Sequence, residues 1–251
     1  MIKCKKLTKY FGEKEAVKGL NLSIEKGIIY GFLGTNGAGK TTTIKMLTGQ
    51  LPITSGEAEI LGMNVKTDEI KIKSKIGIVP DEPKIYPYFT GYEFIEFILD
   101  VFNKNDKPTR TSFDELCHAF DVDFLQTPIA EMSHGMKQKV MVISVLIRKP
   151  EVIFLDEPTV GLDARSSKIL KDLLRKMANN GATIFLTTHV LEIAQKMCDR
   201  IGILDKGNLL AEGTMEELRK HKKLDDSTSL EDLFLNLTGQ SEDVLKIVDA
   251  L

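Results

Sequence analysis

No paired cysteines are present in these 251 residues. Cys4, Cys117 and Cys198 stand far apart and form no CxxC. That excludes a disulfide framework and a cysteine-built zinc site, and fits a reducing compartment in which the thiols serve as small buried residues. His118, His134, His189 and His221 also lack metal-ligand spacing. No stretch approaches the roughly 18 apolar residues of a membrane span. Met1–Leu7 carries Lys3, Lys5 and Lys6 where a signal peptide would need an apolar core, so none is expected. An excess of either charge is missing too: 34 Lys and Arg face 36 Asp and Glu, so neither a nucleic-acid partner nor a polybasic membrane anchor is expected. Work at a membrane would require docking on a separate chain. What the chain does have is 42% hydrophobic residues, enough for the core of one domain with a subdomain.

Along the chain, Ile2–Leu7 and Val17–Ile24 alternate as strands, and Ile28–Leu33 is an apolar run closed by Gly34, as expected of a buried strand. A glycine-rich turn leads into a helix through Thr42–Leu47 that ends near Gly49. Glu57–Leu61 and Ile76–Val79 read as short strands. From about residue 81 to 149 the pattern turns helical, with Glu93–Val101, Ser112–Phe120 and Gly135–Arg148 as helices, the last stopped by Pro150. The α/β alternation then resumes: Val152–Leu155, helix Ser166–Asn179, strand Thr183–Thr187, helix Val190–Met197, strand Ile201–Leu204, and a hairpin at Asp205–Asn208 into Leu209–Ala211. This order predicts an α/β fold with a mostly parallel sheet covered on both faces. After a charged Lys220–Asp226 stretch, Leu230–Leu237 and Val244–Leu251 read as short helices, with Ser229 and Ser241 as N-caps. Leu230, Leu233, Phe234 and Leu237 have three possible docking surfaces: this domain, a twin or another subunit.

Gly34-Thr35-Asn36-Gly37-Ala38-Gly39-Lys40-Thr41, followed by Thr42, satisfies GxxxxGK[ST] between a buried strand and a helix. Glycines let backbone N–H groups curl around phosphate oxygens, and the helix N-terminus adds partial positive charge. Lys40 is expected to reach the β- and γ-phosphates of a nucleotide, and the Thr41 hydroxyl to ligate Mg²⁺. Val152-Ile153-Phe154-Leu155-Asp156-Glu157 ends an apolar strand in two acids at the sheet edge where the P-loop lies. Asp156 suits Mg²⁺ and Glu157 suits a general base for the attacking water. These two elements indicate a P-loop NTPase and leave kinases, helicases and GTPases open.

Three further segments narrow the choice. Met132-Ser133-His134-Gly135-Met136-Lys137-Gln138-Lys139 resembles the ABC signature, Val160-Gly161-Leu162-Asp163 resembles the D-loop, and Thr187-Thr188-His189 resembles the switch-histidine segment. In this order they resemble ABC ATPases over about residues 1–217, with 218–251 as a short C-terminal helical extension. The resemblance implies an N-terminal antiparallel β subdomain, a helical insert, and ATP with Mg²⁺ held between two domains packed head to tail. Ser133 and Gly135 of one domain would contact the γ-phosphate bound to the other, Asp163 would couple the two sites, and His189 would act with Glu157. Phe11, with Tyr10 as the alternative, matches the aromatic that stacks on adenine. Two departures stand out. Asp81 occupies the Q-loop glutamine position, where it retains an oxygen for Mg²⁺ but cannot donate an amide hydrogen bond. His134 and Met136 replace signature residues.

Single-domain exporter-type ABC subunits are similar in these variants. The expected partners are therefore a second ABC ATPase domain, the same or different, and an integral membrane permease at the cytoplasmic face. Tyr86, Tyr88, Phe89 and Tyr92 either form the permease groove or pack the insert. Importer subunits are the nearest rival, but they more often keep the glutamine and a larger C-terminal domain. A soluble mechanoenzyme on ribosomes or DNA would be expected to show two cassettes or a long coiled coil. A regulator that does not turn over is disfavoured by intact Glu157 and His189.

Overall fold

The computed structural model describes residues 1–221, 225 and 228–239; Ser241 and Val244–Leu251 lie outside the described residues. Two sheets organise the chain. β1 (Ile2–Phe11), β2 (Lys14–Ile24), β4 (Ser55–Ile60) and β5 (Met63–Asn64) form an antiparallel sheet in the order β2-β1-β4-β5. The second sheet runs β10-β9-β3-β8-β7-β6, from β3 (Ile29–Gly34), β6 (Ile76–Val79), β7 (Val152–Asp156), β8 (Thr183–Thr188), β9 (Arg200–Asp205) and β10 (Asn208–Gly213). Its pairs are parallel except β9–β10, the antiparallel hairpin. β3, β7 and β8 are buried along their whole length, because both faces of a central parallel strand are covered.

Alternate residues of these strands feed different cores. Val152 and Phe154 join Tyr30, Phe32 and Phe185 against α1 (Lys40–Leu47), α2 (Glu69–Lys75) and the antiparallel sheet. Ile153 and Leu155 join Ile184 and Leu186 against the other face. That face is covered by α3 (Gly91–Val101), α4 (Lys107–Ala119), α5 (His134–Leu146) and α6 (Ala164–Asn179). α6 shows the expected helical stripe, burying Ser166, Leu170, Leu174 and Ala178. α5 buries Val140 through Leu146 without interruption, as a helix enclosed on all sides must.

The helical reading of residues 81–149 meets three helices there. α3 starts at a Thr90–Glu93 capping box. α4 begins five residues before the expected Ser112, because Asp106 caps the Thr109 N–H and Pro108 fits the first turn. Four short elements were not anticipated: β5, α2, which buries only Ile72, a single 3-10 turn at Ile129–Glu131, and α8 (Met215–His221), whose charged surface hides its period. α7 (Leu191–Met197) and α9 (Leu230–Thr238) complete the fold. α9 settles the open question of where its apolar face docks. Leu230, Leu233 and Phe234 pack with Leu33, Ala194, Ile201, Ile203 and Leu218 of this same domain, and Ser229 caps the helix in a box with Asp232.

Candidate functional site

The loop between β3 and α1 curls because Gly37 and Gly39 take φ of +81° and +112°. At Gly39 a Cβ would also lie 2.6 Å from the Ala16 carbonyl oxygen, so no other residue fits. The loop is braced internally. The Ala38 N–H donates to the Thr35 carbonyl at 3.1 Å, and the Lys40 ammonium donates to the carbonyls of Gly34 at 2.7 Å and Thr35 at 3.2 Å. Burial pushes the Lys40 ammonium below its ordinary pKa, while Glu157, Asp156 and Asp81 push it back up.

Carboxylates meet this loop from neighbouring strand ends. Asp156, buried at the end of β7, accepts from the Thr41 hydroxyl at 2.6 Å on Oδ2 and from the Thr187 hydroxyl of β8 at 2.5 Å on Oδ1. The Thr187 hydroxyl in turn accepts from the Glu157 N–H at 3.3 Å. Glu157 sits at φ +48°, a left-handed conformation that a non-glycine residue adopts only when its surroundings hold it. Its Oε2 lies 2.9 Å from His189 Nδ1 and 3.3 Å from the His189 N–H. The Glu157 side chain is 12% exposed and that of His189 60%. A half-buried acid therefore carries an exposed imidazole at the rim.

Phe11, Asn36, Gly37, Gly39, Lys40, Thr41 and Thr42 line one cleft of about 270 Å³ together with Asp81, Asp156 and Glu157. Phe11 lies at its edge, half exposed, with the Lys9 ammonium 5.2 Å from the ring centroid. Tyr10 is not among the lining residues. Lys14 and Ala16 carry no signal in the sequence, and Thr187 is read there only as part of the Thr187-Thr188-His189 segment, without a role of its own. Thr187 carried a readable signal, a hydroxyl at the last turn of a strand beside the acidic strand end.

Ser133, Gly135 and Asp163 line no part of this cleft; they form a second corner. Ser133 caps α5 by accepting from the Met136 N–H. Asp163 caps α6 by accepting from the Ser166 N–H at 2.7 Å and hydroxyl at 2.8 Å, and pairs with Lys139 at 3.1 Å. These bonds, the backbone N–H first, hold its carboxyl well below the usual carboxylate range. The two caps interlock. A Cβ on Gly135 would lie 2.5 Å from the Gly161 carbonyl oxygen, and one on Gly161 2.4 Å from the His134 ring. Gln138 Nε2 donates to the Pro158 carbonyl at 3.2 Å.

In the insert, Tyr86, Tyr88 and Phe97 are exposed, Phe89 is half-buried and Phe94 is buried. Tyr86, Phe89 and Phe97 form one aromatic cluster with centroids 5.5–6.2 Å apart. Tyr92 instead packs on Phe113 and accepts from Arg110. The rings thus divide between the two readings.

Comparison with known proteins agrees with this arrangement. The family model described as ABC transporter matches residues 17–160. The chain is 35% identical over 219 residues to the linearmycin resistance ATP-binding protein LnrL of Bacillus subtilis, covering 87% of this chain and 70% of that one. It is 35% identical over 228 residues to the bacitracin transport ATP-binding protein BcrA of Bacillus licheniformis, covering 89% and 72%. Among solved structures it matches an ATP-binding subunit of an ABC transporter with TM-score 0.90 and 27% identity over 94% of this chain and 99% of that one. It also matches a dimeric ATP-binding cassette in a post-hydrolysis state with ADP and Pi, with TM-score 0.77 and 26% identity over 86% and 99%. From the fold, the glycine loop with its two strand-end acids, and these matches, the chain belongs to the ABC transporter family of ATP-binding proteins.

Proposed function

We propose that this chain hydrolyses ATP in a Mg²⁺-dependent manner at the cytoplasmic face of a membrane and drives a separate permease in export. The observation that carries the reading is the hydrogen-bonded relay Thr41–Asp156–Thr187–Glu157–His189, which runs from the phosphate loop to the cleft rim. The likeness to resistance and transport ATP-binding proteins supports export.

The donor set suits Mg²⁺. Thr41 Oγ1 and Asp156 Oδ2 are hard oxygens 2.6 Å apart, and Asp81 adds a carboxylate to the same cleft. When bound, the cation would neutralise charge on the β- and γ-phosphates. The chain's own residues do the rest. The Lys40 ammonium exchanges its carbonyl partners for phosphate oxygens, and the Gly37–Thr41 backbone cradles them. The exposed Phe11 face stacks on the base. Glu157 takes the proton of the attacking water, and His189, hydrogen-bonded to it, holds that carboxylate and reaches the γ-phosphate. Ser133 and Gly135 act on the nucleotide of a second copy or a homologous domain, because they line no part of their own chain's cleft. Asp163 couples the two sites. The Tyr86–Tyr88 patch receives the permease.

The test is an affinity pull-down of tagged Glu157→Gln protein with Mg-ATP from detergent-solubilised membranes of the source organism. A polytopic membrane protein that is recovered with the parent and lost from a Tyr86→Ala/Tyr88→Ala variant supports the reading. Recovery of ribosomes or nucleic acid, or of this chain alone, overturns the transporter part and leaves the ATPase site standing.

A further inference from the structure

A second cavity, of about 580 Å³, opens on the opposite side of the parallel sheet from the nucleotide cleft. Its walls include Pro150 and Glu151, just before β7, and Gly181 and Ala182, just before β8. These mark the amino-terminal ends of strands whose carboxyl-terminal ends carry Asp156 and Thr187. The volume lies in the range of small-molecule sites.

Its floor is aliphatic: Leu116 and Ala119 from α4, Leu146 and Ile147 at the end of α5, and Leu173 and Met177 from α6. Among the described residues no aromatic ring lines it, so the occupant would be held by aliphatic packing and not by stacking. α4 is the loosest wall, with Phe113 as its one buried side chain. The rim is cationic. Lys26, Lys149 and Lys176 stand at the mouth and form no ion pair among the described residues, while of the two acids there Glu151 is already bonded to Lys75, leaving Glu115.

An aliphatic slot under a lysine rim has the chemistry of an anionic head on a flexible hydrocarbon chain. We infer that this cavity binds one aliphatic carboxylate, an acyl chain with its head between Lys26, Lys149 and Lys176 and its tail on Leu116, Leu146 and Leu173. The site touches the far ends of the two helices whose N-termini carry Ser133 and Asp163. Its occupant is therefore placed to stiffen α4 against both.

The experiment is isothermal titration of the full chain with dodecanoate below its micellar range, with dodecyltrimethylammonium as the same chain under a cationic head. The expected result is saturable binding of one dodecanoate per chain, no saturable binding of the cationic analogue, and slowed amide hydrogen exchange in α4. K26E/K176E, changes at two exposed positions, should weaken dodecanoate at least about tenfold. Ala119→Phe, which fills the slot, should weaken it similarly. Unchanged ATP binding in both variants checks their fold. Equal binding of the two head groups, undiminished binding in either variant, or no binding by the parent chain overturns the inference.

Discussion

The nucleotide cleft and the Ser133–Asp163 corner are both made of glycines, hydroxyls and helix N-termini, yet their bonds run over different distances. In the cleft, Asp156 is gripped by Thr41 from α1 and Thr187 from β8, partners 115 and 31 residues away. In the corner, Ser133 and Asp163 each accept from an N–H group three residues on, within their own helices, and the one longer side-chain tie of the two is the Asp163–Lys139 pair between α6 and α5. The two helix starts meet through close backbone approach at Gly135 and Gly161. The cleft is thus a wired site, pre-organised by charge within one chain. The corner is a rigid ledge with an exposed Ser133 and no phosphate loop of its own. The role proposed above for this ledge is on a nucleotide that another copy brings.

That contrast can be broken at several points. Glu157→Gln should lower phosphate release by about 10²–10⁴-fold while ATP still binds, the effect of losing a general base; unchanged steady-state turnover would remove Glu157 from that role. Lys40→Ala removes the cation of the wired half and should weaken ATP about 10–100-fold in equilibrium binding. Near-normal affinity would mean that the backbone alone holds the phosphates. Ser133→Arg tests the ledge. Placed in the Glu157→Gln chain, it should weaken ATP-driven association by at least about tenfold, read by light scattering, with single-chain ATP affinity unchanged. A drop in single-chain affinity would put Ser133 in its own chain's cleft and end the contrast.

Smaller effects sharpen it. Thr187→Val leaves Asp156 Oδ1 and the Glu157 N–H without this hydroxyl and should cost about 1–3 kcal/mol of stability in urea unfolding, with reduced turnover. Asp163→Ala removes an N-cap and should cost about 1 kcal/mol. Here pH supplies a check. The folded carboxyl lies below its ordinary value, held first by the Ser166 N–H. Its contribution is therefore full above the ordinary carboxylate range and is lost as pH falls through the folded value. The stability gap between parent and Asp163→Ala should stay constant from about pH 5 to 8 and close only in acid. A gap that varies across neutral pH would assign the effect to another group.

Local pattern carried much of this protein. The buried run Ile29–Gly34, the glycine spacing before Lys40 and the acids after Leu155 are readable because each depends on near neighbours: apolar continuity, φ freedom, and strand-end placement. The start of α4 is equally local in origin, set by the Asp106 cap and by Pro108 in the first turn. α2 and α8 were not legible, since a seven-residue helix with one or two core contacts has too few turns to show a period.

The sequence by itself determined which chemical groups are available and the order of the longer strands and helices, because those follow from residue type and spacing. Tertiary structure decided the rest. It set Thr187 against Asp156, bent Glu157 into a left-handed conformation facing His189, put Ser133 outside the cleft, and laid α9 on this domain's own α7 and α8. Each of those outcomes depends on which distant segments the sheet order brings within hydrogen-bonding or packing distance, and no local pattern encodes that.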